Sequence, residues 1–98
     1  MSDQCQITRR QVDIYVEFDG NSDMYQRRGR SDPEMSWSAW RTIDDLRRRL
    51  FIVSVGSASE KFKAAVFADV EALVPDADAR DIVRNLVEKD IRAQSAKA

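Results

Sequence analysis

The sequence predicts a small α+β fold, in which an N-terminal β-strand or hairpin precedes about three helices and the last two form an antiparallel helical hairpin. Three observations support this class. Residues 12–18 alternate between apolar and polar, residues 40–53 carry apolar side chains three and four positions apart, and residues 79–91 carry the most regular helical stripe. At 98 residues the chain is expected to be one domain, 1–98, that buries about two thirds of its unfolded surface.

The predicted strand places alternate residues on one face: Val12, Ile14, Val16 and Phe18. Asp19-Gly20 follows, a pair suited to a tight hairpin turn because both central residues must take a positive φ. The sequence allows a returning strand over 24–28, and 19–32 is expected to be a loop or turn region. An unpaired strand edge invites a strand from another copy, so a homodimer is expected.

The first predicted helix has Asp32 as a cap, Pro33 at the first helical position and Glu34 in the first turn, and should start there or within a turn. Its apolar stripe is Trp40, Ile43, Leu46, Leu50 and Val53. The run LFIVSV, residues 50–55, is apolar on every side. It fits a buried helix end, which we favour, or a second strand.

Two more helices should follow. Ser57 and Glu60 match a capping box, and Pro75 bounds the far end of a helix with the stripe Phe62, Ala65, Val66, Val70 and Leu73. Asp76 can cap the last helix, whose stripe is Ala79, Ile82, Val83, Leu86, Val87 and Ile91. A short connection favours an antiparallel hairpin. Residues 1–8 and 93–98 are expected to be flexible tails.

Charge and cysteine content identify no partner. Sixteen basic residues against seventeen acidic ones give a net charge of -1, whereas a protein that coats a nucleic-acid backbone usually has a strong basic excess. No apolar run approaches the length of a membrane span, so no membrane association is expected. With Cys5 as its only cysteine the chain is expected in the cytoplasm.

The sequence also lacks the groups that most catalytic and metal sites use. Without histidine, imidazole bases, Ser-His or Cys-His pairs and histidine metal ligands are excluded. Asp44 and Asp45 lie about 100° apart on a helix and are expected to pair with Arg48 and Arg49. DGNSD, residues 19–23, opens like a calcium loop that lacks the required later residues. We therefore expect no enzyme, no catalytic residue, no cofactor and no metal.

The strongest candidate for a function is an arginine- and tryptophan-rich surface. Trp37 falls about 130° from the centre of the core stripe. The same helix face also carries Arg41, Asp44, Arg48 and Phe51. Three more arginines, Arg27, Arg28 and Arg30, lie in the expected loop. Three interpretations of this surface remain open: it is a binding site, it is an ordinary solvent-exposed surface, or the C-terminal hairpin covers it.

These observations favour a non-enzymatic protein-binding module: a small adaptor, inhibitor or phage-encoded effector. Its predicted partner-binding residues are Trp37, Arg41, Arg48, Phe51, Arg27, Arg28 and Arg30, since tryptophan and arginine dominate the energetics of protein interfaces. The alternative is a nucleic-acid-binding accessory protein that uses Arg27–Arg30 and Arg47–Arg49.

Overall fold

The fold is all-helical. The computed structural model describes residues 6–29 and 33–97, and over these ranges it contains five helices and one π-helical turn, Tyr25–Gly29, directly after the second helix. The helices are α1 Arg9–Glu17, α2 Ser22–Met24, α3 Trp37–Ser54, α4 Glu60–Leu73 and α5 Ala77–Lys97. These ranges contain no strand, so the predicted α+β class is wrong.

Helix α1 occupies the segment predicted to be a strand. A capping box opens it: the Thr8 hydroxyl accepts a hydrogen bond from the Gln11 backbone N–H at 3.1 Å, and the Gln11 side chain accepts one from the Thr8 N–H at 3.0 Å. Val12 and Tyr15, three residues apart, are both buried, whereas Val16 is 39% exposed. The burial pattern of this segment therefore follows the period of a helix and not that of a strand. The strand edge proposed to form a homodimer does not exist.

The segment after α1 turns back through helical structure. Asp19 and Gly20 have φ values of 52° and 67°, so the predicted positive values are confirmed, but these residues end a helix and do not join two strands. The returning strand predicted over 24–28 is wrong. Asn21 caps α2 by accepting a hydrogen bond from the Met24 N–H at 3.1 Å, and the π-helical turn continues to residue 29.

Helix α3 forms the centre of the fold. It begins four residues after Pro33, with Ser36 as the cap, and Asp32 lies outside the described residues. All five residues of its predicted stripe are buried. The helix runs to Ser54, so residues 50–55 are a helix end, as favoured, and the strand alternative is wrong.

Helices α4 and α5 begin close to their predicted starts. Ser59 caps α4 where Ser57 was predicted, and Ala65 is exposed although it was assigned to the buried stripe. The predicted boundary at Pro75 is confirmed, because α4 ends at Leu73. Asp76 accepts a hydrogen bond from the Ala79 N–H at 3.0 Å, which confirms it as the cap of α5.

The packing of the helices differs from the predicted hairpin. Helix α5 packs on α3 and α1, and α4 packs on α3, while α4 and α5 make little contact with each other. The last two helices are therefore not an antiparallel packed pair. The physical reason is that α1, once helical, presents an apolar face that the stripe of α5 covers, whereas α4 has only Val66 and Val70 fully buried.

An aromatic cluster fills the middle of the core. The Trp40 ring lies 4.5 Å from the Tyr15 ring and 4.4 Å from the Tyr25 ring, measured between centroids. Ile7 is buried too, and its N–H donates to the Leu73 carbonyl at 2.6 Å. Residues 93–97 continue α5, and whether they fray stays a prediction. Among the described residues, no helix has the length and apolar character needed to cross a membrane.

Candidate functional site

A shallow groove of about 810 Å³ lies between α3 and the C-terminal half of α5. Its lining residues are Asp44, Arg47, Arg48, Phe51, Asp90, Ala93 and Gln94. Two of the predicted partner-binding residues, Arg48 and Phe51, are therefore brought together here. Arg41 is exposed on the same helix, one to two turns before Asp44 and Arg48.

The Arg47 guanidinium forms the floor of this groove. Its Nε and Nη2 donate to the two carboxylate oxygens of Asp90 at 2.7 and 2.6 Å, and its Nη1 donates to the Tyr15 hydroxyl at 3.1 Å. Paired arginine–carboxylate bonds of this kind fix geometry as well as charge. Arg47 therefore joins α1, α3 and α5.

Tyr15 extends the network to Asp44. Its hydroxyl donates to Asp44 Oδ1 at 2.8 Å. Burial of the side chain, aided by the bond to Asp44 and opposed by Arg47, raises the pKa of Tyr15 to about 12. The bond to Asp90 likewise raises the pKa of Arg47. At neutral pH Tyr15 is therefore neutral and Arg47 charged.

The arginine cluster 47–49 is paired with acids. Arg48 lies 3.6 Å from Asp44 and Arg49 lies 2.9 Å from Asp45, which confirms the two predicted ion pairs. Arg49 also contacts Asp69 on α4 at 2.8 Å. Arg48 is the freest of the three, because its side chain is 73% exposed and its one salt bridge is long.

The predicted loop arginines lie apart from the groove. Arg27 is exposed in the π-helical turn and pairs with Asp23 at 3.5 Å. Arg28 is exposed in the same turn, and Arg30 lies outside the described residues. Neither Arg27 nor Arg28 lines the groove, so their predicted part in partner binding has no geometric link to Arg48 and Phe51.

Trp37 is partly covered by the chain itself. Its ring stacks on the Tyr25 ring at 5.9 Å between centroids and 9° between planes. The covering group at Trp37 comes from the π-helical turn. The sequence alternative, a side covered by the C-terminal helices, applies in part at the other end of the face, where Ala93 and Gln94 of α5 line the groove beside Phe51. Trp37 is partly buried at the N-terminal end of α3, and its role in binding stays a prediction.

These positions form a second face of α3, turned about 130° away from its core stripe. We define this second face as Trp37, Arg41, Asp44, Arg48, Phe51 and Val55, the last being the C-cap residue that follows Ser54. Trp37 and Phe51 are partly buried and also pack against the core. Consecutive members are separated by four, three, four, three and four residues, which is the spacing of helices that pack along one another. Sequence reasoning missed Val55, which is 46% exposed, because it counted that residue in the apolar run 50–55. Its distance of four residues from Phe51 was the available signal.

No protein-family model matches this chain, and no curated protein or solved structure is significantly similar to it. Its function therefore has to be inferred from its own geometry and chemistry.

Proposed function

We propose that the protein is a non-enzymatic binding module that docks a helix of a protein partner on the second face of α3. The observation that carries this proposal is the packing-type spacing of six exposed or partly buried residues beside the core stripe of α3, of which Trp37 and Phe51 also pack partly against the core. Phe51 and Val55 offer apolar area, and Arg41 and Arg48 offer charge. Tryptophan, other aromatics and arginine are the residues enriched at protein interfaces.

The raised pKa values of Tyr15 and Arg47 in the groove support a binding role over a catalytic one. A general base needs a pKa near the working pH. Tyr15 and Arg47 are shifted the other way, since each keeps its proton more firmly than in water. Their hydrogen bonds go to Asp44 and Asp90, so the network holds helices together and leaves the rim for docking.

Pairing of the arginines also favours a protein partner over a nucleic acid. Phosphate binding depends on cations that can release counterions. Arg47, Arg49 and Arg27 each already lie within 3.5 Å of a carboxylate. A helix with an apolar side chain for Phe51 and an acid for Arg48 or Arg41 suits this surface better than a phosphate backbone does.

The test is photo-crosslinking in the cells that make the protein. A benzophenone amino acid replaces Arg41, which is exposed and has no ion pair among the described residues. Position 41 is preferred to Trp37, whose stacking on Tyr25 would be lost. The matched control carries the probe at Arg84, exposed on α5 and not part of the groove lining.

We expect protein adducts from position 41 that are absent from position 84 and that Arg48→Glu removes. Adducts that disappear on nuclease treatment would instead support nucleic-acid binding. An identical pattern from both positions would overturn the docking proposal.

A further inference from the structure

The second face of α3 is symmetric about Leu46. Trp37 and Val55 both lie nine residues from Leu46, Arg41 and Phe51 lie five residues away, and Asp44 and Arg48 lie two residues away. Reversing the helix direction therefore places each member of this face at the position of its counterpart. A surface with this property can pair with its own copy around a two-fold axis.

The central layer of such a pair is complementary in charge. When two α3 helices run antiparallel with Leu46 at the two-fold axis, Asp44 of one chain faces Arg48 of the other, and this contact occurs twice. Arg48 is 73% exposed and 3.6 Å from its own Asp44, so it is free to bind a second carboxylate. The four side chains then alternate in sign around the axis.

The outer layers are complementary as well. Arg41 faces Phe51 of the other chain, which allows a cation–π contact on each side of the centre. Trp37 faces Val55 of the other chain, so that an apolar residue 46% exposed in the single chain gains an aromatic partner. Each layer thus joins residue types that attract.

A parallel arrangement has the opposite property. Each residue would then face its own counterpart, which brings Arg41 to Arg41, Asp44 to Asp44 and Arg48 to Arg48. Like charges placed directly opposite one another across an interface destabilise it. The charge order therefore selects the antiparallel direction.

We propose that the partner helix is α3 of a second copy of this chain, docked antiparallel on the second face to form a two-fold homodimer. The proposal rests on the proposed function, because it identifies the protein that occupies the same face. The groove beside Asp44, Arg48 and Phe51 gives about 810 Å³ for side chains of the second copy. Alternating contacts of this kind are the layers of an antiparallel pair of packed helices.

Sedimentation of the full chain over a range of micromolar concentrations tests the proposal. We expect a monomer–dimer equilibrium in the wild-type protein. Arg48→Glu places two acids opposite each other at both central contacts and is expected to raise the dimer dissociation constant at least about tenfold. Arg84→Glu makes the same charge change on α5 and is expected to leave the equilibrium unchanged.

A mixing experiment isolates the specific contact. Asp44→Lys alone sets two cations opposite each other and should also dissociate the dimer. Mixed with Arg48→Glu, it restores opposite charges at both central contacts, so a heterodimer is expected from two monomeric variants. Because Asp44 also accepts the Tyr15 hydrogen bond, circular dichroism must first show that Asp44→Lys is folded. Val55→Glu, at an exposed position, is the replacement variant and should weaken the dimer too.

Two results would contradict the homodimer. A wild-type chain that sediments as a monomer, or a dimer that Arg48→Glu leaves intact, overturns the homodimer. A monomer that still gives crosslinks from position 41 to a different protein overturns only the homodimer and leaves the docking function in place.

Discussion

Arg47 shows how one side chain can organise this molecule. Its side chain is only 19% exposed, and its donors reach Asp90 on α5 and Tyr15 on α1 at the same time. A partly buried charge is tolerated when its hydrogen bonds are provided, and removing one partner leaves an uncompensated group. Arg48 and Phe51, two of the residues predicted to bind a partner, line the same groove as this bonded guanidinium, so the network holds α3 in place beneath them.

Because of Tyr15, the free energy of unfolding should fall as the pH rises in the alkaline range. Its pKa is raised in the folded chain to about 12, so the unfolded chain, with a tyrosine pKa of about 10, loses this proton first. The stabilisation is therefore complete below pH of about 10 and is lost as pH rises towards about 12. Urea unfolding at several pH values should show this decline.

Tyr15→Phe is the control for that measurement. Without the phenol, the decline between about pH 10 and 12 should become shallower, while any constant loss from the missing hydrogen bonds affects all pH values alike. Equal slopes for the two proteins would show that Tyr15 is not the responsible group.

The elements differ in how far the sequence determines them. The stripes of α3 and α5 could be predicted, because five and six apolar residues repeat there at helical spacing and exclude the period of a strand. Helix α1 could not be predicted as easily. Its nine residues satisfy both periods. A strand would place Tyr15 on the face opposite Val12 and Ile14, whereas the structure buries its ring and leaves its hydroxyl hydrogen-bonded to Asp44.

The site was predictable to the extent that it belongs to one helix. Trp37, Arg41, Arg48 and Phe51 share a face of α3 by spacing alone. The partnership of Arg47 with Asp90 joins residues 43 positions apart, and no local pattern indicates it. The stacking of Tyr25 on Trp37 likewise depends on how the segment after α1 folds back.

The turn after α1 should be sensitive to a single added carbon. Gly20 has a φ of +67°, and a Cβ there would lie 2.5 Å from Arg47 Nη1 and 3.0 Å from the Tyr15 hydroxyl. Because Asp90 and Tyr15 hold the guanidinium, it cannot easily move aside. We expect Gly20→Ala to lower the free energy of unfolding by more than about 1 kcal/mol, the usual effect of alanine at positive φ.

Gly56→Ala provides the matched comparison. Gly56 has a φ of +79° with no atom within 4 Å of an added Cβ, so this variant reports backbone strain alone. Denaturant melts should show a larger loss for Gly20→Ala than for Gly56→Ala. Equal losses would mean that the contact with Arg47 contributes nothing.

At the scale of the whole molecule the helices form a flat body. Its principal extents are 38 × 37 × 20 Å, and the short dimension corresponds to about two helix diameters. Helix α5 contacts both α3 and α1, so its buried stripe supports two interfaces at once. Loss of packing on that stripe should affect the entire fold and not one end of it.

Leu86→Ala tests this coupling. Leu86 is 8% exposed on α5, and truncating a buried leucine costs about 2–5 kcal/mol. We expect such a loss in one cooperative transition, followed by circular dichroism and by tryptophan fluorescence. Asn85→Ala, at the exposed neighbouring position, should change stability by less than about 0.5 kcal/mol. A loss below that value for Leu86→Ala, or transitions that differ between the two probes, would contradict the coupling.

The packing of α1 on α5 also matters during synthesis on the ribosome. Contacts such as Arg9 with Asp78 and Asp19 with Lys89 join residues 69 and 70 positions apart, so α1 emerges long before its partner exists. At roughly 5–20 residues per second, the buried face of α1 waits on the order of several seconds for α5. During that interval Val12, Ile14 and Tyr15 are open to chaperones or to neighbouring nascent chains. Helix α1 is therefore synthesised well before α5 and completes its packing only after α5 has emerged.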